Sequence, residues 1–478
     1  MRFFFLLFYV FSQLWHFTAA KTAGQRTSEQ LLHHIASDPE LRSSWLGISV
    51  YSLTQKRTLF EHEATKAFVP ASTLKLLTAA AALEVLGKQF RFNTTFTCDA
   101  ISPDGVIQGN LYLLAGADPT FASNKFPPTA APLLKQAFVK WIEEKGIRQV
   151  TGKFVVCTGK TDRWGPSPGW SWEDLGWYYG AAPSPVSFAD NQVELVFQTK
   201  PDQTAPTLVT QNPSLPFMPW TYRLTQTAKD IPANVRITGT DPSFSRILSG
   251  TLPYQTKETK LRISLPNPAY VAGKFFIQTL VEQNISIDSI PLVQESLPSP
   301  DSQTILGNWT SPVLTELLVK VLQDSDNLIT EHLAIYLGET KNQTAPEFLT
   351  SFWLARGLDS LGLSLSDGSG LSRYNAISPA NLTQMLKYVY SSSHRDLFIQ
   401  LLPKSGMQGT LQNIGSSRSL EGKVWAKSGS MSKVRGYAGY MVTTEMDTLA
   451  FAMLWNQFLC PSKKVNGLVE EFWSTWRK

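Results

Sequence analysis

Helical and β segments are segregated along this 478-residue chain, and that segregation limits what it can fold into. Near the start, Ser28 to Ala36 has helical spacing, with Leu31, Leu32 and Ile35 on one side. Leu46 to Leu53 and Thr58 to Glu63 read as two strands joined by a turn. Thr73 to Leu86 is an Ala- and Leu-rich helix stopped by Gly87. From about residue 89 to 300 short β runs take over, among them Leu111 to Leu114, Phe154 to Cys157 and Val193 to Phe197, with one helix near Tyr270 to Gln283. Lys200 to Pro216 and Gly239 to Lys260 read as loops. Helices return at Ser311 to Leu322, Asn327 to Leu337, Pro346 to Leu361 and Pro379 to Tyr390. Strands at Val434 to Thr443 and Thr448 to Gln457, then a helix at Leu468 to Trp476, close the chain. One sheet with strands from both chain ends and helices on its faces accounts for this order, with the middle as a separate lobe. The expectation is an α/β (α+β) domain from residues 21–88 and 300–478, and an inserted β-rich region at 89–299 made of two nested subdomains.

The first 20 residues have the layout of a secretory signal. Arg2 precedes an apolar run from Phe3 to Trp15, broken by Ser12 and Gln13, and Thr18-Ala19-Ala20 are small. The run is shorter than the roughly 20 residues that span a bilayer, and no later stretch qualifies. A mature chain is expected from about Lys21, soluble outside the cytoplasm, in the periplasm or beyond. The net charge of +5 forms no basic stripe. That argues against a nucleic-acid partner and suits a surface that meets anionic wall polymer. An oxidising compartment permits one disulfide among Cys98, Cys157 and Cys460. Cys98 with Cys157 is the expected pair, with three buried free thiols about equally open. Six scattered histidines and no CxxC pair indicate no metal site, and nothing calls for a cofactor.

Three short motifs carry chemistry. In Ser72-Thr73-Leu74-Lys75, a lysine lies one turn along from a serine at a helix start, on the same face. A serine hydroxyl needs an adjacent base. The amine can serve only if burial or a second cation pulls its pKa well below about 10.4. In Ser325-Asp326-Asn327 a hydroxyl can relay a proton and an amide can hold a peptide backbone, although all three residue types are also preferred helix caps. In Lys427-Ser428-Gly429 a cation and a hydroxyl can hold a carboxylate while the glycine lets a backbone approach. Each motif alone is weak. Ser430-Met431-Ser432-Lys433 repeats the first spacing, and Lys404-Ser405-Gly406 repeats the third. The later K-S-G is preferred because it leads through a turn into the strand at Val434. Together and in this order the motifs resemble the S-x-x-K, S-D-N and K-T-G signature of penicillin-binding proteins and class A β-lactamases.

Further tracts extend the match. They are Phe68 to Lys75, Gly109-Asn110-Leu111-Tyr112 with Gly116-Ala117-Asp118-Pro119-Thr120, Trp172-Glu173-Asp174 with Tyr179-Gly180-Ala181, Asp367 to Ser372, and Gly409-Thr410-Leu411. On these residues nearly the whole mature chain resembles the D-alanyl-D-alanine carboxypeptidase/endopeptidases of the penicillin-binding protein 4 type, peptidase family S13. The resemblance implies a serine β-lactamase/DD-peptidase-like domain, its sheet flanked by helices. It also accounts for the roughly 250 residues between Ser72 and Ser325 as extra domains inserted between the S-x-x-K and S-x-N motifs. It implies that Ser72 attacks the D-Ala-D-Ala carbonyl to form an acyl-enzyme and that Lys75 takes its proton. Ser325 would pass a proton to the leaving D-alanine, and Asn327 would hold the substrate backbone. Lys427 and Ser428 would bind the terminal carboxylate on an edge continued by Gly429 and Ser430. The backbone N–H groups of Ser72 and Ser430 would form the oxyanion hole. Asp174 borders the site from the insert or is a turn residue. The implied partners are peptidoglycan stem peptides and cross-links, with β-lactam antibiotics as covalent inhibitors. Ser428 stands where the family has threonine and keeps the hydroxyl, while Asn110 and Ala117 replace an Asp and a Gly. A β-lactamase-like hydrolase and an inactive wall-binding module are the competing readings. The long insert counts against the first, and the intact set of residue types against the second.

Overall fold

The computed structural model describes residues 23–200, 203–239, 245–255, 257–299, 303–417 and 419–477. The expected signal segment, residues 1–20, lies outside the described residues. The chain begins with α1 Ala23–Ser37, β1 Trp45–Ser52 and β2 Arg57–His62, then a 3₁₀ turn Ala71–Leu74 that runs into α2 Lys75–Leu86. The middle carries β3 Asn93–Cys98, β4 Leu111–Leu114, α3 Ala131–Glu144, β5 Phe154–Cys157, β6 Gln192–Gln198, β7 Thr207–Asn212, β8 Trp220–Thr227 and β9 Asn234–Thr238. It continues with β10 Arg246–Pro253, β11 Thr259–Ser264, α4 Pro268–Glu282, β12 Leu292–Gln294 and β13 Thr304–Thr310. Helices α5 Leu314–Gln323, α6 Asn327–Glu339, α7 Ala345–Leu354, α8 Pro379–Ser391 and α9 Arg395–Leu401 follow. The last elements are β14 Val424–Met431, β15 Val434–Val442, β16 Thr448–Asn456 and α10 Ser462–Arg477.

The two chain ends share an antiparallel sheet of order β14-β15-β16-β1-β2. Successive side chains of a strand point to opposite faces. On β16, Ala450, Ala452 and Leu454 therefore join one core, packed with α2 and α5 to α9. Leu449, Phe451, Met453 and Trp455 join another, packed with α1 and α10. With both faces covered, the strands read as nearly unbroken apolar runs. Helix α2 is apolar all round and is buried from Lys75 to Leu83, as such a helix must be.

The middle region has its own core, rich in phenylalanine, with Phe96, Phe138 and Phe154 packed around Phe276. Its main sheet has order β12-β5-β4-β3-β13, and two three-stranded sheets, β8-β10-β9 and β11-β6-β7, accompany it. Four expectations need correction. Thr304–Thr310, assigned above to the catalytic part, pairs with Asn93–Cys98, so the insert's sheet runs past residue 299. The stretches read as loops, 200–216 and 239–260, contain β7 and β10 and the start of β11. Strand β7 is mostly exposed Thr, Gln and Asn, so it offers no alternating apolar signal. The disulfide is absent: Cys98 and Cys157 are free and buried. β4 lies between their strands, roughly 10 Å across two strand spacings, and they face different cores. A bridge needs Cα atoms within about 7 Å. The helix expected to reach Leu361 stops at Leu354, ahead of Gly357, whose φ of 87° no helix accommodates. No helix among the described residues is long and apolar enough to cross a membrane.

Candidate active site

Pro70 and a left-handed Ala71, φ 47°, turn the chain sharply into the 3₁₀ segment. Residues three apart eclipse in a 3₁₀ turn, which lays Lys75 over Ser72. The Lys75 Nζ lies 3.1 Å from Ser72 Oγ, 2.6 Å from Asn327 Oδ1 and 2.7 Å from the Ser369 carbonyl oxygen. Lys75 is fully buried, and burial draws its pKa down to about 8 while Asp367, Glu331 and Asp326 pull the other way.

Ser325 sits in the short turn between α5 and α6, and Asn327 is the first residue of α6. Ser325 is left-handed, φ 61°, and Asp326 caps α6 by accepting the Ile329 N–H at 2.9 Å. The Asn327 amide is used at both ends. Its oxygen takes Lys75, and its nitrogen donates to the Tyr179 carbonyl of the insert at 2.7 Å. Lys427, on β14, donates to Ser325 Oγ at 2.9 Å and to the Ser428 carbonyl at 2.8 Å. Its pKa falls well below the usual lysine value, first through burial and then through Lys75 nearby. Gly429 lets β14 press on the turn that carries Ser72, where a Cβ would sit 2.5 Å from the Pro70 carbonyl oxygen. Ser428 is half-buried beside it and Ser430 is exposed at the strand's end. Two depressed amines, two hydroxyls and an amide thus surround one small space, an arrangement suited to moving a proton off an attacking serine.

A family model described as the D-Ala-D-Ala carboxypeptidase 3 (S13) family matches residues 28–469. The chain belongs to this family. It is accordingly a penicillin-binding-type serine peptidase of the D-Ala-D-Ala carboxypeptidase class. It is 24% identical over 424 residues to D-alanyl-D-alanine carboxypeptidase DacB of Haemophilus influenzae, covering 86% of this chain and 85% of that one. It is 27% identical over 463 residues to D-alanyl-D-alanine carboxypeptidase of Actinomadura sp., covering 91% and 82%. The crystal structure of penicillin binding protein 4 (dacB) from Haemophilus influenzae superposes with a TM-score of 0.81 at 21% identity, over 94% of this chain and 99% of that one. The same protein complexed with a β-lactam gives 0.74 at 21% identity, over 93% and 97%.

In this S13 chain Ser72, Lys75 and Asn327 form one bonded set, and Ser325, Lys427 and Ser428 a second, joined through the turn 325–327. Asp174 stands one side chain further out. It accepts the Tyr179 hydroxyl at 3.0 Å, and the same tyrosine's carbonyl holds Asn327. The two repeated motifs have different settings. Ser430 to Lys433 spans the exposed β14–β15 hairpin turn, and buried Ser405 donates to the Leu420 carbonyl. Sequence reasoning missed Glu331. It accepts the N–H groups of Gly368 and Ser369, at 3.2 and 2.7 Å, and so shapes the loop whose Ser369 carbonyl takes Lys75. Burial and neighbouring Asp367 push the Glu331 carboxyl well above its usual range. Its i,i+4 spacing from Asn327 on α6 was the available signal.

Proposed function

We propose that this chain removes the terminal D-alanine of peptidoglycan stem peptides and cuts their D-Ala cross-links, through an acyl-enzyme on Ser72. The observation that carries the reading is the 3.1 Å approach of Lys75 Nζ to Ser72 Oγ, with the amine at a pKa near 8. Neutral Lys75 takes the hydroxyl proton as Ser72 Oγ bonds to the penultimate D-alanine carbonyl carbon. Backbone N–H groups of Ser72 and Ser430 hold the oxyanion. The carbon–nitrogen bond then breaks, and the leaving amine takes a proton through the Ser325 hydroxyl, made good by the proton that Lys75 took from Ser72, so that Lys75 is neutral again. Water attacks the ester, gives a proton to Lys75, and Lys75 returns it to Ser72 Oγ as the ester bond breaks. Asn327 aligns the peptide backbone, Lys427 with Ser428 and Gly429 receives the terminal carboxylate, and Asp174 borders the cleft from the insert. A β-lactam would acylate the same oxygen. The site of action is the periplasm or the wall outside it, to which the leader-like residues 1–20 would direct the chain.

Labelled penicillin tests the reading. The wild-type protein should take up one label covalently and folded Ser72→Ala none. A folded wild type that stays unlabelled would sink it. Mass spectra of purified muropeptides after digestion then show whether single alanines, cross-links or both are removed.

A further inference from the structure

We propose that Lys125, in the insert, is a positioning residue for this reaction: it grips the Asp326 carboxylate and so sets the turn that presents Ser325 and Asn327. The inference rests on the acyl-transfer reading above. Lys125 Nζ lies 2.6 Å from Asp326 Oδ2 and 3.6 Å from Asp190 Oδ1. The other Asp326 oxygen caps α6. One carboxylate is therefore divided between the helix that starts the site and a cation from the insert. The residues on either side of it are the ones bonded to the two buried lysines, Ser325 to Lys427 and Asn327 to Lys75. Swinging the Asp326 side chain would drag both bonds with it.

A second observation shows that the insert is built to hold this cation. Asp190 lies at the centre of three successive left-handed residues, Ala189, Asp190 and Asn191, with φ of 50°, 59° and 48°. Left-handed backbone is unfavourable for a residue with a Cβ, and a run of it persists only where surroundings over-determine it. Here the Phe188 N–H donates to Asn191 Oδ1 at 2.9 Å, and Asn191 Nδ2 donates to the Ala182 carbonyl at 3.0 Å. The turn aims Asp190 at Lys125, and Ser123 Oγ donates to the same Asp190 oxygen at 2.5 Å. The Asp190 and Asp326 side chains are 4% and 9% exposed, so one cation serves two nearly dry carboxylates. Without it, two like charges would share a buried space, and one must move or take up a proton. The insert thus contributes a working part to the site in addition to the Tyr179 carbonyl.

The test is the second-order rate of acylation by fluorescent penicillin. Lys125→Met should slow it on the order of 10- to 100-fold, the cost of a small misplacement of reacting groups. The loss should fall on the acylation rate constant and not on the affinity of the complex that precedes it. Lys125→Arg should recover most of the rate. The double variant Lys125→Met/Asp326→Asn removes the stranded charge and keeps a helix cap. It should be at least about threefold faster than Lys125→Met alone, since directly bonded partners are coupled. A wild-type rate in Lys125→Met, or a double variant no faster than the single one, overturns the inference. If Lys125→Met does not fold, Asp190→Asn serves in its place: it removes the anchor and leaves the cation. It should slow acylation severalfold, and a folded Asp190→Asn at the wild-type rate overturns the inference. An unlabelled wild type would instead strike at the acyl-transfer reading itself.

Discussion

Lys75 can accept the Ser72 proton only while neutral. Because burial brings its pKa to about 8, acylation by a β-lactam should climb with pH through about 8 and then level off. The pH profile of the acylation rate checks this, and a flat profile between about pH 6 and pH 9 would remove Lys75 from the role. Linkage adds a second consequence. The ordinary lysine value of 10.5 falls on folding, so from about 8 to 10.5 the unfolded chain holds a proton that the folded chain has released. Stability rises with pH through that window. Below it the buried ammonium is charged and costs on the order of 3 kcal/mol. Lys75→Met should therefore abolish acylation yet melt no lower than wild type at neutral pH, as calorimetry would show. A much lower melting point would mean that the bonds to Ser72, Asn327 and Ser369 outweigh desolvation. At this scale the sequence exposes the reactive side chains, because S-x-x-K, S-D-N and K-S-G mark hydroxyls and amines at fixed spacings. It hides the groups that hold them. Ser369 and Tyr179 act through carbonyl oxygens, which every residue has, and Lys125 finds Asp326 across 201 positions.

Elements meet at the site through backbone contact where β14 presses on the turn that carries Ser72. A methyl at Gly429 would meet the Pro70 carbonyl oxygen at 2.5 Å and the Thr73 nitrogen at 3.1 Å, and backbone cannot yield as a flexible side chain can. Gly429→Ala should cost about 1–3 kcal/mol of stability by urea denaturation and slow acylation as well. Wild-type values for both would show that the turn has room to shift. Legibility of the elements follows from packing in the same way. The β15 and β16 strands and α2, α6 and α8 were readable because burial on a whole face or all round leaves long apolar patterns. Helix α3 carries the same signal in Leu134, Phe138 and Ile142, yet it went unread among short β runs. β7, β8 and β9 keep largely polar, exposed side chains, so only their ladders reveal them.

At the scale of the whole molecule, the insert meets the rest of the chain through both polar and apolar contacts, among them the Asn327–Tyr179 and Trp164–Glu339 hydrogen bonds and the packing of Phe92 on Tyr336. The insert was legible as a change of pattern, but its far edge was not, because β13 is one partly exposed strand whose partner lies about 200 residues earlier. His332 of α6 sits on the seam. Its Nδ1 lies 2.8 Å from the Ala117 carbonyl and its Nε2 2.8 Å from Ser187 Oγ. A carbonyl only accepts, so Nδ1 carries the proton and Nε2 of the neutral ring receives the serine hydroxyl. A second proton on Nε2 would force the Ser187 hydroxyl to turn and accept, and burial lowers the His332 pKa to about 4 against the Ala117 bond and the Asp326 charge. Above pH 6.5 the ring is neutral folded and unfolded. As pH falls from there towards 4, the unfolded chain gains a proton that the folded chain refuses, and up to about 3 kcal/mol of stability drains away. Buried Asp118, raised to about 6, acts in the opposite sense over the same range. The total stability curve is therefore not diagnostic, but a difference between two proteins that share Asp118 is. His332→Gln should be less stable than wild type at pH 7, and the gap should narrow on acidification as only the wild type suffers the histidine penalty. Urea unfolding at several pH values measures this. A gap that holds constant would mean that His332 titrates alike in both states and does not tie the seam to pH.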